Sequence, residues 1–326
     1  MHLADTIRWF FALPDPAVDR SAMTRAELRI EAFQRQRRTP FGRGIIRYHI
    51  FLESLPYRVH GIVRIIWRAT AGRWLWIKCA DFAEIEIANM RYVAKHTDIP
   101  VPRVWFTYKW NNREYIVMDR IAGITFDALR GGHLQDGDKQ DAIAGQMARH
   151  MAQLRALPSP PESSISSVLC GPVRCPRLFQ DPLYGPTAPS PPTGPCKREA
   201  TMNLQLRHLR SLETFDPIVV AAHSTAHPLV FTHNDLVPRN IMVDHATGKV
   251  VAIIDWEYAG WFPAHWEICM MTNWERQSIG LGWRGWIPKI LPRDKLAYAQ
   301  DLEADALLLR ALGVPEHHAS DNKCDS

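Results

Sequence analysis

The sequence predicts an α+β chain of two lobes, a small mixed one followed by a larger, mainly helical one. Three observations predict it. From about Val59 to Met118 short extended runs surround a single helix; beyond Met118 the apolar spacing turns mainly helical; and one apolar hairpin, near residues 241–254, interrupts the helical part. The expected division is 1–118 for the first lobe and 119–326 for the second.

In chain order, residues 21–38 read as an amphipathic helix, with Ala26, Ile30 and Phe33 on one stripe and arginines opposite. Ile62–Trp67 and Trp74–Lys78 read as strands joined through a turn containing Gly72. A helix is expected from Asp81 to His96, stopped by Pro100 and Pro102. Val104–Tyr108 and Tyr115–Met118 then flank a turn at Asn111–Asn112. Residues 158–196 are rich in Pro, Ser and Gly (PSPPESS, YGPTAPSPPTGPC) and read as a loop or partly disordered insertion. Such a composition buries too little apolar surface to offset its ordering entropy.

The net charge of +5 is uneven: residues 1–118 hold 19 Lys and Arg against 11 Asp and Glu, a local excess of +8. No basic run is interleaved with aromatics, so a nucleic-acid module finds no support beyond that excess. The six cysteines form no CxxC pair, which points to free thiols in a reducing compartment rather than a disulfide framework or a zinc site. The start of the chain makes a poor signal peptide, and no run approaches the ~20 apolar residues of a membrane span. A cytoplasmic location, away from membranes, is expected.

The segment LVFTHNDLVPRNIMVDHATGKVVAIIDWEYAGW carries the chemistry. Strand Leu229–Phe231 leads into a polar loop, His233–Arg239; strand Ile241–Val243 turns at His245–Lys249 and returns as Val250–Ile254. Folding the ribbon about that turn sets Asn240 opposite Asp255, an amide and a carboxylate suited to oxygen coordination of a hard cation. Asp235 lies in the loop that enters the ribbon. Phosphoryl transfer needs such a set: one carboxylate takes the hydrogen of the attacking hydroxyl, while an amide and a second carboxylate hold Mg²⁺ on the triphosphate.

His-x-Asp-x-x-x-x-Asn followed by Ile-Ile-Asp resembles the catalytic loop and magnesium strand of the protein-kinase-like superfamily. More narrowly, THNDLVPRNIMVD and IIDWEYAGWFP resemble the aminoglycoside phosphotransferase family, in particular its broad fungal branch. The similarity extends to Glu-x-x-x-Met-Arg-Tyr-Val, IPVPRV and YIVMDRIAG. It implies a two-lobed kinase-like fold and ATP with Mg²⁺ as cofactors. Asp235 would be the catalytic base, Asn240 and Asp255 the magnesium ligands, and His233 a structural support for the loop. Adenine would bind backbone near Met118–Ile121. The family also needs a strand lysine paired with a helix glutamate. Lys78 is the candidate lysine. Of Glu84 and Glu86, the first falls in a capping box with Asp81 and on a solvated stripe, whereas Glu86 shares the buried stripe of Met90 and Val93. Glu86 is therefore expected to pair with Lys78.

Three departures bear on activity. The phosphate-covering loop retains only Gly61. Asn234 stands where protein kinases carry arginine, and Trp256–Glu257 follows Asp255. A phosphorylation-regulated protein kinase is thereby disfavoured, and a phosphotransferase acting on a hydroxyl of a small molecule is expected. The alternative is a kinase-like binding protein with weak or lost catalysis. Glu257, Glu267 and Asp216 are the candidate carboxylates for an amine-bearing substrate; Trp256, Trp261, Phe262 and Trp266 read as core.

Overall fold

A computed structural model of the chain describes residues 37–53, 71–130, 137–159, 164–171, 173, 175, 216–277 and 283–311. The expected helix at 21–38, apart from its last two residues, lies outside the described residues, as do the strand Ile62–Trp67 and Gly61. The chain divides into two compact units, one of residues 1–83 with 102–121, the other of 84–101 with 122–326.

The first unit is built on an antiparallel sheet of β1 (Leu75–Ala80), β2 (Val104–Trp110) and β3 (Arg113–Asp119), in the order β1-β3-β2. The β2–β3 turn is the expected Asn111–Asn112, both at positive φ (50° and 57°). Two left-handed residues make a primed turn that matches strand twist, and asparagine enters that region more readily than other side chains. Against the sheet packs α1 (Pro40–Glu53), a helix not expected from the sequence. Its start was legible: Thr39 caps it, the hydroxyl accepting the Gly42 amide at 2.9 Å, and Pro40 stands at the first helical position. Ile45, Leu75, Phe106, Tyr108, Tyr115 and Val117 form the core. The Tyr108 and Tyr115 rings stack at 5.1 Å, and the Tyr108 hydroxyl lies 2.6 Å from His49 Nδ1.

The second unit begins with α2 (Ala83–His96). This differs from the sequence-based division at 118/119, which put that helix in the first lobe and the boundary three residues earlier. The reason is physical. The buried Asn89 donates its amide hydrogens to the carbonyls of Trp256 and Ala259, at 2.8 and 2.9 Å, and Tyr92 packs on Phe231 and Trp261. These contacts tie α2 to the strands of the second unit.

The remaining elements are β4 (Ile124–Thr125), α3 (Phe126–Arg130), α4 (Gly137–Arg155), α5 (Pro217–Ser224), β5 (Leu229–Thr232), β6 (Ile241–Val243), β7 (Val250–Ile253) and β8 (Gly260–Pro263). Helices α6 (Trp266–Gln277), α7 (Ile287–Ile290), α8 (Asp294–Ala297) and α9 (Ala299–Ala311) follow. The strands form two small antiparallel sheets, β4-β6-β7 and β5-β8. No helix among the described residues is long and apolar enough to cross a membrane.

Part of the segment read as an insertion is core. Ile165, Val173 and Cys175 are buried with Phe262, Trp266 and Met270, and Ser166 bridges to Trp261. The backbones approach so closely that a Cβ on Gly260 would lie 2.8 Å from the Ser166 carbonyl oxygen. Only glycine fits there. Polar composition hid a few well-spaced apolar anchors in this stretch.

Candidate active site

The β5 strand delivers the chain into the loop 233–239, a short 3₁₀ turn at Pro238–Asn240 closes it, and the β6–β7 ribbon follows. All of His233, Asn234, Asp235 and Asn240 are buried. Each backbone or side-chain polar group in such a loop must find a partner, since an orphan costs about 1–3 kcal/mol. The partners define the site.

Asp235 is held from two sides. Asn240 Nδ2 donates to its Oδ2 at 2.8 Å and to its backbone carbonyl at 2.9 Å, while Arg239 Nη2 lies 3.1 and 3.2 Å from Oδ1 and Oδ2. Burial nonetheless pushes the Asp235 carboxyl up to about 6; the Arg239 cation and the Asn240 amide pull it down, and the Asp255 charge raises it. It is thus ionised at neutral pH yet basic enough to take a proton. With the Asn240 NH₂ turned toward Asp235, the Asn240 amide oxygen points elsewhere.

The hairpin register differs from the expected one by one residue. Ile241 pairs with Ile253, and the Ile254 amide donates to the Asn240 carbonyl at 3.0 Å, so Asn240 stands opposite Ile254 and Asp255 follows beyond the ribbon. An irregularity between Met242 and Val243 sets the pairing there one residue nearer Asp255 than the turn end, where Val243 pairs with Val250, would give. Asp255 adopts a left-handed conformation (φ 64°, ψ 59°) and starts the 3₁₀ turn Trp256–Tyr258. Asp is among the few side chains that accept this backbone, and the turn ends strand pairing at the carboxylate.

His233 spans loop and ribbon. Its Nδ1 accepts the Asp235 amide at 3.2 Å, which leaves the proton on Nε2, 3.0 Å from the Ile254 carbonyl. A neutral ring of one tautomer therefore links the residue carrying the candidate base to the residue before Asp255. Trp256 covers the imidazole at 4.5 Å and donates its Nε1 hydrogen to Ile253.

Sequence reasoning missed the part that Asn234 and Glu267 play in holding this loop. Asn234, at φ 65°, donates to the Tyr258 carbonyl at 3.2 Å, and its oxygen accepts from Trp266 Nε1 at 3.0 Å and Cys175 Sγ at 3.5 Å. Glu267, expected as a candidate substrate carboxylate, is instead buried beneath the loop, its oxygens 2.6 and 3.1 Å from the His233 and Asn234 amides. Burial pushes its carboxyl up to about 7, against the pull of those amides and of Arg155. Arg155 is in turn anchored by both oxygens of Asp294. Asp216, the other reassigned carboxylate, caps α5 by accepting the Ile218 amide at 2.8 Å. Trp256, Trp261, Phe262 and Trp266 are core, as expected.

The other candidates lie on separate elements. Lys78, half-buried, is on β1, paired opposite Ile116. Glu86 on α2 is buried while Glu84 is exposed, the difference the stripe pattern anticipated. Met118 is buried in β3, and the amides just after it are engaged: Asp119 donates to Arg103 O at 2.9 Å and Arg120 to Trp74 O at 2.7 Å.

The chain is similar to solved structures of a type VIII aminoglycoside 3'-phosphotransferase (16% identity, TM-score 0.43, covering 74% of this chain and 84% of that one). It is similar also to aminoglycoside phosphotransferase APH(3'')-Id from Streptomyces rimosus (20%, 0.44, 74% and 87%) and to aminoglycoside 2'-phosphotransferase-IIIa in its GDP complex (13%, 0.43, 74% and 85%). No curated protein matches by sequence. The profile of the phosphotransferase enzyme family matches residues 79–305, which takes in Glu86, the loop, the ribbon and α6. The chain, a mixed fold of helices and small antiparallel sheets, belongs to the phosphotransferase enzyme family.

Proposed function

We propose that the protein transfers the γ-phosphate of ATP, with Mg²⁺, to a hydroxyl of a small molecule. The observation that carries this reading is the Asp235 carboxylate, buried and raised to about 6, gripped by Asn240 beside the ribbon that ends at Asp255. Asp235 acts as the base. Its Oδ1 is bonded by Arg239 alone, whereas Oδ2 takes both Arg239 and Asn240, so Oδ1 is the atom better placed to accept the hydrogen of the attacking hydroxyl.

The Asn240 amide oxygen and the Asp255 carboxylate are the hard oxygen donors that suit Mg²⁺. When bound, the ion neutralises charge on the transferring phosphates. Lys78 is the proposed phosphate-gripping cation, and Glu86 its carboxylate partner, because a buried carboxylate needs one. Gly61 and backbone near Met118 are proposed to contact the nucleotide. Since the Asp119 and Arg120 amides are already engaged, adenine recognition falls to other backbone groups of that segment.

The test is Mg-ATP consumption against a metabolite library, with phosphorylated products identified by mass spectrometry. A product formed by the native protein and lost in Asp235→Ala is the expected result. Turnover that survives Asp235→Ala removes the assigned base. Absence of any thermal stabilisation by Mg-ATP removes the nucleotide-dependent reading altogether.

A further inference from the structure

Away from the ribbon, three ligand-type side chains from distant segments of the second unit meet. His227, His265 and Asp301 each offer one ligand atom, and these atoms lie within 4.8 Å of one another. The β5–β8 register explains the first two. Leu229 pairs with Pro263, and beyond the strand ends the Ala264 amide still donates to the Pro228 carbonyl at 3.0 Å. One further step along the same register sets His227 across from His265, with ring centroids 4.5 Å apart. Asp301 enters from the first turn of α9, its Oδ2 3.4 Å from His227 Nε2. Helix α9 is itself anchored on α5 through Val219, Ala222, Ala304 and Leu308. Tyr298 closes the group, its ring 5.7 Å from that of His227 and 6.3 Å from that of His265.

We propose that His227, His265 and Asp301 bind a divalent transition metal of the zinc class. The His227–Asp301 separation is longer than the ~2.7–2.9 Å of a charge-assisted hydrogen bond. It matches instead the ~3.4 Å edge of a tetrahedron of ligands set ~2.0–2.1 Å from a central ion. Two imidazoles and one carboxylate select zinc, cobalt or nickel over Mg²⁺ or Ca²⁺, and three protein ligands leave a fourth position for water. The site therefore differs in chemistry from the all-oxygen pair Asn240 and Asp255, and it stands without the phosphotransferase reading. The bound ion cross-links the entry to β5, the start of α6 and the start of α9. Because His265 precedes Glu267 by two residues, it stiffens the turn from which the loop-holding carboxylate projects.

The probe is Co²⁺, titrated into full-length protein that has been stripped with chelator and carries no affinity tag. The expected result is the intense visible absorption of four-coordinate cobalt, saturating at one equivalent and bleached by Zn²⁺. It should be lost in His227→Ala, weakened in Asp301→Asn and unchanged in Asp255→Ala, with circular dichroism confirming that each variant is folded. Failure of the native protein to develop the band overturns the proposal without any variant. So does a band that persists in folded His227→Ala, including one that then disappears on replacing His317 and His318, an adjacent histidine pair elsewhere in the sequence.

Discussion

Glu267 accepts the backbone amides of both His233 and Asn234, at 2.6 and 3.1 Å, from directly beneath the loop that carries Asp235. Removing that carboxylate leaves two buried donors without acceptors. Glu267→Ala should therefore destabilise the chain by about 2–5 kcal/mol, and Glu267→Gln, which turns an NH₂ toward an N–H, by about 1–3 kcal/mol. Urea unfolding monitored by tryptophan fluorescence checks both values.

The same residue sets a pH dependence. In the fold, Asp235 titrates at about 6 and Glu267 at about 7, against ordinary values of 3.8 and 4.5. Folded values above unfolded ones mean that the protonated forms are favoured by folding. Their contribution to stability is thus complete below the unfolded values and is lost as pH rises through about 6 and about 7. The fall in Tm between about pH 5 and about pH 8 should be smaller in Glu267→Gln than in the native chain. An equal or larger fall would show that other groups dominate.

Asp235 also predicts the acid limb of catalysis. On the proposed mechanism kcat/KM should fall tenfold per pH unit below about pH 6, where the base becomes protonated. Asp235→Asn should cost on the order of 10²–10⁴ in turnover while leaving the Mg-ATP thermal shift in place. Loss of both together would point to nucleotide binding rather than proton transfer.

Arg239 tunes that limb. Its cation lowers the Asp235 value, so Arg239→Ala should move the acid limb to higher pH and reduce rates at neutrality while sparing them in alkali. An unmoved profile would show that the pair, half-exposed on its arginine side, is screened out by solvent.

Gly260→Ala tests the close approach of Ser166. A methyl 2.8 Å from a backbone oxygen forces β8 and residue 166 apart, at a cost of about 1–3 kcal/mol. Denaturant titration should show this, whereas Gly285→Ala, with nothing within 4 Å, should unfold close to the native midpoint.

How far the sequence revealed the site can be judged residue by residue. The spacing of His233, Asp235 and Asn240 was legible because it lies within eight consecutive residues, although the loop is held in place by Ile254 and Glu267 from further along the chain. The relation of Asn240 to Asp255 was nearly so, missed by one residue because the exact register of so short a ribbon depends on turn and strand geometry that leaves no mark in composition. The burial of Glu86 followed from helical stripes. The part played by Glu267 did not, because nothing in its neighbours tells which way a glutamate at the start of a helix will face. Its partners lie more than thirty residues away and offer only backbone. Helix α1 was obscured by two glycines in its first turns, and Asn234 by comparison with an arginine whose task it does not share.

Cys175 donates to Asn234 across the boundary between the proline-rich stretch and the loop that carries Asp235. That stretch reads as disposable, and anyone trimming the chain for crystallisation or expression would begin there. Excision that reaches back through Val173 and Ile165 would pull the packing from under Phe262 and Trp266 and take away one of the loop's own struts, so a shorter, tidier chain would arrive with the surroundings of Asp235 already loosened.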